Sequence, residues 1–406
     1  MLLCASIVLG AVEAKVDGRT GMIRILSIGE SYYPETRLPV VLRADPRIAY
    51  QPVPTNWYES TFASVGAGRE DAIRFVRQYM PRSYPQLAKN YDVVLLSDFD
   101  VDVIPDEQFS WMEFSVRRIG MGLAKYEMNY DPAHWHTFDL FCKSSIYPAF
   151  PTELVKGKEF RSVGIRAVVF QGTGRPHPIL DLPGMKDYKL PMDFGYGKCG
   201  YERPRQGSTV IARFVPGDEA AMIVWSYGKG NVLVSVPGHD TIDWTMSADW
   251  PYASDFWINQ IWYLAGLEIP RDIVQVHRIR EMSKTYSSER AMVVSLIEFV
   301  EKFGAQTWEL YDHLGRVDVE KKVADRLYLR GRYDESLEKM QMAYEDLGKV
   351  SQEAVDLKRK ALFWIYLTEW CVVAASSVIT GLVLWTLMIR RKLYKEAGLT
   401  RLRETG

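Results

Sequence analysis

Proline is absent after Pro270, although the chain runs to Gly406 and holds 20 prolines. Proline breaks helix interiors, so this long proline-free stretch predicts a helical region. Cysteine is scarce. Cys4, Cys142, Cys199 and Cys371 are too few for a disulfide scaffold and too widely spaced for a zinc or iron–sulfur site. A basic excess is missing as well. Lys and Arg total 50 against 51 Asp and Glu, a net charge of -1, which argues against nucleic acid as a partner. Glycine-rich phosphate loops are lacking. Gly29-Glu30-Ser31 follows the first apolar run, Gly172-Thr173-Gly174 is too short, and no G-x-x-x-x-G-K-[ST] pattern occurs. Neither a nucleotide nor another cofactor is expected.

What is present is most extreme near the end of the chain. Trp370–Ile389 (WCVVAASSVITGLVLWTLMI) holds no charged residue. A helix of that length spans about 30 Å, the hydrocarbon thickness of a bilayer. Trp364, Tyr366 and Trp370 flank one end and Trp385 the other, where aromatic rings favour the interface. A transmembrane helix within 362–389 is expected, with the lipid bilayer as its partner. Six basic residues follow in 390–406, against four just before the span (Lys349, Lys358, Arg359 and Lys360), which favours a cytoplasmic tail. At the other end, the apolar run Leu2–Val12 precedes Val12-Glu13-Ala14, the pattern of a signal peptide 1–14 cut after Ala14, although no basic residue precedes the run. Together these predict a single-pass cell-membrane protein with its main domain outside and its C-terminus in the cytoplasm.

Between these ends the chain divides in two. In 22–268, short apolar runs alternate with helical spacing. Ile23–Ile28, Asp92–Ser97 and Ile119–Ala124 predict buried strands, while Gly68–Met80, Asp106–Val116 and Ser254–Leu267 predict helices. Such alternation implies a mostly parallel sheet with helices on both faces. Ala221–Ser226 and Asn231–Val236, joined by Tyr227-Gly228-Lys229-Gly230, predict an antiparallel hairpin. Residues 271–360 predict a helical membrane-proximal segment with breaks at Gly304, Gly315, Gly331 and Gly348. The piece GRYDESLEKMQMAYEDL resembles one helix of a tetratricopeptide repeat, but a single unit does not make a solenoid. A stalk-like segment that offers a docking surface to a protein partner is the expectation.

The order YDVVLLSD, a helix, a glycine-containing strand, PHPIL, WSYGKGNVLVSVPGHD and a helix ending WYLAG resembles the putative glutamine amidotransferase family, a class I glutamine amidotransferase-like domain. The resemblance covers about 22–268 and rests on order and short matches. It implies a flavodoxin-like sheet and, in active members, a nucleophilic Cys on a sharp strand-to-helix turn with a His base oriented by a carboxylate. After Ile119–Ala124 this chain has Lys125-Tyr126-Glu127-Met128 and no Cys. Tyr126 matches the last position of the Gly-Gly-Tyr-like sequence common in that branch. Cys142 has no glycine elbow. The resemblance therefore implies a domain that has lost its nucleophile and binds a ligand or protein without catalysis.

Several residues remain as candidates. His239, in Pro237-Gly238-His239-Asp240, follows a strand and has Asp240 and Asp243 nearby, the chemistry of a base or a metal ligand. Glu30, Asp98, Tyr126 and His239 all follow or end strands and define one expected ligand crevice. His134 and His136 share a face only if they lie on a strand, with Asp131 and Asp139 close in sequence. Asp98, Asp100 and Asp102 alternate but lack the glycine and distal glutamate of a calcium loop, so a solvated acidic loop is expected and no metal site is assigned. His177, between two prolines, predicts a rigid turn. Cys142 and Cys199 are the pair available for a disulfide. Two other functions stay open: a hydrolase using His239 and a carboxylate, with or without a metal, and a structural or assembly component of an envelope complex.

Overall fold

The computed structural model describes residues 14–29, 38–55, 68–126, 135–159, 165–170, 172–185, 200–215, 217–236 and 250–403. In chain order the elements are β1 (Ile23–Gly29), α1 (Leu38–Leu42), β2 (Ile48–Pro54), α2 (Arg69–Tyr79), α3 (Tyr84–Asn90), β3 (Val93–Ser97), α4 (Asp106–Ile119), β4 (Gly122–Tyr126) and α5 (Trp135–Lys143). Then come β5 (Thr152–Glu159), β6 (Ile165–Ala167), β7 (Gly200–Pro204), β8 (Thr209–Phe214), β9 (Ala220–Tyr227), β10 (Gly230–Ser235), α6 (Ala253–Leu264), α7 (Ile273–Glu301), α8 (Trp308–Leu329) and α9 (Tyr333–Arg403).

Eight strands form one sheet in the order β2-β1-β3-β4-β10-β9-β8-β6, and β5 pairs with β7 in a separate ribbon. The pairs from β2 through β10 are parallel, whereas β10-β9, β9-β8 and β8-β6 are antiparallel. The sheet is thus mostly parallel, as the alternating pattern predicts. Parallel strands need crossovers on the sheet faces, which bury both sides and require continuous apolar runs. Val93–Ser97 is buried at every position. The β9–β10 hairpin turns through Gly228 and Lys229, as expected.

The β4 strand starts later than the sequence pattern indicates. Ile119 closes α4, and Gly120 caps that helix in the left-handed conformation at φ 78°, which glycine adopts without steric cost. The strand therefore takes in Lys125 and Tyr126, which are not on an elbow turn.

The chain falls into two compact units. The sheet unit consists of the described residues of Met1–Thr285 with Lys322–Met340, so it runs on past residue 268 into α7, α8 and α9. Arg280, fully buried, anchors those helices within this unit. Its Nε donates to Asp45 Oδ2 at 3.0 Å and its Nη1 to Asp255 Oδ1 at 2.6 Å. Asp45 Oδ2 also accepts from Trp262 Nε1 at 2.9 Å and Tyr328 OH at 2.8 Å. Burial works against the guanidinium charge, but the pull of Tyr328, Asp45 and Asp255 outweighs it and holds the pKa above its usual value.

The helical unit consists of Tyr286–Lys321 and Gln341–Gly406. Its core repeats at three-then-four spacing. Val293, Ile297 and Val300 on α7, Leu310, Leu314 and Val317 on α8, and Ala343, Leu347, Val350 and Ala354 on α9 are buried. That 3.5-residue repeat is the seam of coiled-coil packing. Asp318 accepts from Arg290 Nε and Nη2, both at 2.7 Å, and clasps α8 to α7. Of the four expected glycine breaks, Gly304 and Gly331 separate helices, while Gly315 and Gly348 lie inside α8 and α9. A glycine costs an exposed helix interior only about 1 kcal/mol, less than the packing of the seam supplies.

The α9 helix is continuous for 71 residues, so the expected stalk and span are one element. It is long and apolar enough to cross a membrane. A core helix would be covered by protein, whereas Trp370, Ile379 and Trp385 are 73%, 62% and 62% exposed. The hydroxyls in this stretch are satisfied locally. Ser376, Thr380 and Thr386 each donate to the carbonyl four residues earlier at 2.8 Å.

Candidate functional site

Four parallel strands and the strand that joins them end in one row. Pro54 of β2 pairs with Gly29 of β1, Gly29 with Ser97 of β3, Ser97 with Tyr126 of β4, and Tyr126 with Ser235 of β10. Register partners project to one face, and residues two apart along a strand share it. Ser27, Ser97, Tyr126 and Ser235 are consequently on the same face. Its cover includes α6, whose Trp257 meets the Tyr126 ring edge-on with centroids 5.5 Å apart.

This row contains the point where the connections diverge: β1 leads to β2 on one side and β3 leads to β4 on the other. Open α/β sheets bind ligands at such a point, outside the C-terminal strand ends. Backbone approaches backbone there. Gly29 has φ 112°, and a Cβ on it would sit 1.9 Å from the Ser97 carbonyl oxygen, so only glycine fits. The next residue of β3's exit, Asp98, has φ 39° and is the one non-glycine among the described residues with positive φ.

The hydroxyls of Ser27, Ser97 and Tyr126, with that of Thr55 just past β2, are fully buried and find no hydrogen-bond partner among the described residues. Buried hydroxyls are ordinarily satisfied, and each one left alone costs roughly 1–3 kcal/mol. Burial raises the Tyr126 phenol well above its usual pKa, so it stays a neutral donor at physiological pH. The neighbouring side chain on β4 shows the opposite condition. Lys125 points to the other face and pairs with Glu202, whose second oxygen accepts from Thr152 Oγ1 at 2.6 Å.

Of the residues expected to share a crevice, Tyr126 and Asp98 stand at adjacent strand ends. Glu30, His239, Asp240 and Asp243 lie outside the described residues. Asp131 and His134 do as well, but Trp135–Lys143 is helical, so His136 and Asp139 are on a helix and the strand-face pairing of His134 with His136 does not hold. The Asp98–Asp102 stretch is not a solvated loop. Asp100 is 7% exposed, and Asp102 accepts from Arg69 Nε at 2.8 Å. Among the described residues, no group of three His, Cys, Asp or Glu side chains could hold a metal ion. Cys142 is a free, half-buried thiol, and Cys199 lies outside the described residues. Burial pushes the Cys142 thiol up against a smaller opposing effect of Tyr147, which makes it a poor thiolate. His177 is the turn residue expected. Its Nδ1 accepts from the Ile179 amide at 3.3 Å, and burial lowers its pKa to about 4.

Sequence reasoning located Tyr126 and missed Ser27, Ser97 and Thr55. The available signal was serine near the end of otherwise apolar buried strands, in ILSIG and VLLSD.

The fold and the strand-edge row define an α/β protein with a mostly parallel sheet and one long apolar helix. No protein-family model and no curated protein matches the chain. Among solved structures, a cytoplasmic protein from Salmonella typhimurium is similar at 17% identity and TM-score 0.44, over 60% of this chain and 99% of its own. A second cytoplasmic protein, from Salmonella typhimurium LT2, is similar at 13% identity and TM-score 0.38, with the same 60% and 99% coverage. An exo-beta-1,4-mannosidase from Opitutaceae bacterium strain TAV5 shares 13% identity at TM-score 0.32, over 62% of this chain and 37% of its own length.

Proposed function

We propose that the chain is a membrane-anchored glutamine amidotransferase-like domain protein that binds a polar ligand at the strand ends without catalysis. The observation that carries this is the set of buried Ser27, Ser97 and Tyr126 hydroxyls at the divergence of β1 and β3, which have no partner among the described residues. A polar ligand there would supply hydrogen bonds that no described residue gives these hydroxyls. The strand order 2-1-3-4 supports a flavodoxin-like assignment. The want of catalysis rests on chemistry. A neutral phenol fixed at the end of a strand does not replace a thiolate on a sharp turn, and Cys142 lies beside Tyr147 and Lys125, on the face opposite Tyr126.

The α9 helix crosses the cell membrane once, with the basic tail in the cytoplasm and the sheet unit outside. A reporter fused after Gly406 should read as cytoplasmic, and protease added to intact cells should remove the sheet unit; protection until lysis would reverse the topology. The detergent-purified full chain should release no ammonia from glutamine. Release that disappears in a Cys142→Ala/Cys199→Ala variant would make it an enzyme. Small molecules freed by denaturing the wild-type chain, analysed by mass spectrometry, should include a polar compound that a Ser97→Ala/Tyr126→Phe variant no longer carries.

A further inference from the structure

The open hydroxyls lie on a face of the sheet that carries no charge. The strands β1, β2, β3, β4 and β10 hold two charged residues between them, Arg24 and Lys125. Side chains alternate along a strand, so both project to the opposite face from Ser27, Ser97 and Tyr126. Each is already bonded to a carboxylate: Arg24 Nε donates to Asp92 Oδ2 at 2.9 Å, and Lys125 pairs with Glu202. The covering helix α6 has Asp255 as its one charged residue, and that carboxylate is taken by Arg280. What this face adds is polarity without charge. Tyr50 of β2 is level with Ile25 of β1 and so faces the same way as Ser27. Its phenol is near enough to that of Tyr126 to add to the effect of burial on the Tyr126 pKa.

These features narrow the chemistry of a ligand. An ion moved out of water onto this face meets no counter-charge among the described residues to offset its desolvation. Asp98, half-buried directly past β3, is the nearest acid along the chain, so an amine is the charged alternative to exclude. An extended peptide is recognised through the free backbone edge of a strand. The strands β1, β3 and β4 have no free edge, because each is paired on both sides. A hydroxyl gives one proton and accepts at two lone pairs, so the site offers donors and acceptors together. From Ser27 to Tyr126 these groups extend across two strand spacings, roughly 10 Å. One amide or one carbonyl does not reach them all, whereas hydroxyls on successive carbons do. We propose that the strand ends bind a neutral polyhydroxylated molecule, a sugar or a polyol, whose hydroxyls bond to those of Ser97 and Tyr126. This inference rests on the reading of the strand ends as a ligand site and names the class of ligand.

The test uses the full chain purified in lauryldimethylamine oxide, a detergent without a sugar headgroup. Denaturation frees the bound small molecules, which are compared by mass spectrometry with those from a Ser97→Ala/Tyr126→Phe variant. Removing two hydroxyl partners should weaken binding on the order of tenfold or more, so the variant should carry severalfold less of the compound. That compound should pass unretained through both anion and cation exchangers at neutral pH. Acetic anhydride should add several acetyl groups to it, seen as equal steps in mass. A compound held on either exchanger, or one without hydroxyls to acetylate, would overturn the proposal while leaving the strand ends as a site. Equal amounts from both chains, or no compound from the wild type, would overturn the site and the proposal together. A further measurement needs no variant. Added back to stripped wild-type chain, the compound should raise the thermal midpoint in a saturable way. The unsaturable rise that sugars give by exclusion from protein surfaces would count against the proposal.

Discussion

Two of the polar sets that the sheet unit buries are treated in opposite ways. Around Arg280 the charges are answered: one guanidinium meets two carboxylates, and Asp45 Oδ2 alone accepts from Trp262, Tyr328 and Arg280, although the Asn259 amide nitrogen beside them has no partner among the described residues. At the strand ends, Ser27, Ser97 and Tyr126 are equally buried and answered by nothing among the described residues. The first set joins the turn after α1 to α6, α7 and α8, segments far apart in sequence, so its bonds specify how the helices pack on the sheet. The second set lies where open α/β sheets take ligands. Buried charges that are paired mark architecture, whereas a row of hydroxyls left open at strand ends marks a site.

The largest expected effect breaks the paired set. Arg280→Met removes the guanidinium that bonds to both Asp45 and Asp255. Removing one partner of a buried pair leaves an uncompensated charge and costs about 3–5 kcal/mol. Denaturant unfolding of the detergent-solubilised chain should show a loss of that size. A triple variant that also carries Asp45→Asn and Asp255→Asn should recover part of it. A loss under about 1 kcal/mol in Arg280→Met would mean that water reaches the cluster and that pairing there is dispensable.

His177 stands between the two cases, since it is half-buried and satisfied but only while neutral. Its pKa is lowered from 6.5 to about 4 by burial, and its Nδ1 accepts a backbone N–H. The unfolded chain therefore binds a proton below pH 6.5 that the folded chain refuses until about pH 4. Stability from this group is fully present above pH 6.5 and falls with acidification, by about 3 kcal/mol in all by pH 4. Acid unfolding profiles of the wild type and His177→Gln should diverge across that window, the variant losing less. Parallel profiles would show that solvent reaches the ring.

The alternating strands, the hairpin and the span were legible in the sequence because each depends on a local period. Val93–Ser97 has no polar residue before its last position, and Trp370–Ile389 carries no charge. The heptad seam of α7, α8 and α9 is equally written in the spacing of Val293, Ile297 and Val300 or of Ala343, Leu347 and Val350. Glycines obscured it, because Gly315 and Gly348 inside helices look the same as Gly304 and Gly331 between them. Arg280 was not legible, since Asp45, Asp255 and Tyr328 meet it only through the tertiary fold. A hint existed in α6, where Asp255, Asn259 and Gln260 interrupt a helix otherwise composed of core residues. At the strand ends, Tyr126 was found through its order in the chain. Ser27 and Ser97 were missed because a serine in a buried strand has the same sequence signature whether or not its hydroxyl has a partner.

The smallest effect in stability is the most informative about the open set. A buried tyrosine whose hydroxyl is bonded to protein loses about 1 kcal/mol on conversion to phenylalanine, and the abandoned partner adds to that loss. Tyr126 has no such partner among the described residues, and its ring keeps its edge-on contact with Trp257 in the variant. Tyr126→Phe should therefore leave the unfolding midpoint of the ligand-free chain unchanged or raise it by up to about 1 kcal/mol. The same substitution should abolish any stabilisation that the co-purified compound gives when added back to stripped protein, because that gain is set by binding to the folded state alone. Thermal unfolding of stripped wild type and variant, each with and without the compound, separates the two effects. A variant destabilised by more than about 1 kcal/mol without ligand would show that the hydroxyl is already satisfied in the empty fold. The strand ends would then belong with the Arg280 cluster as architecture, and the contrast between the two sets would no longer point to a site.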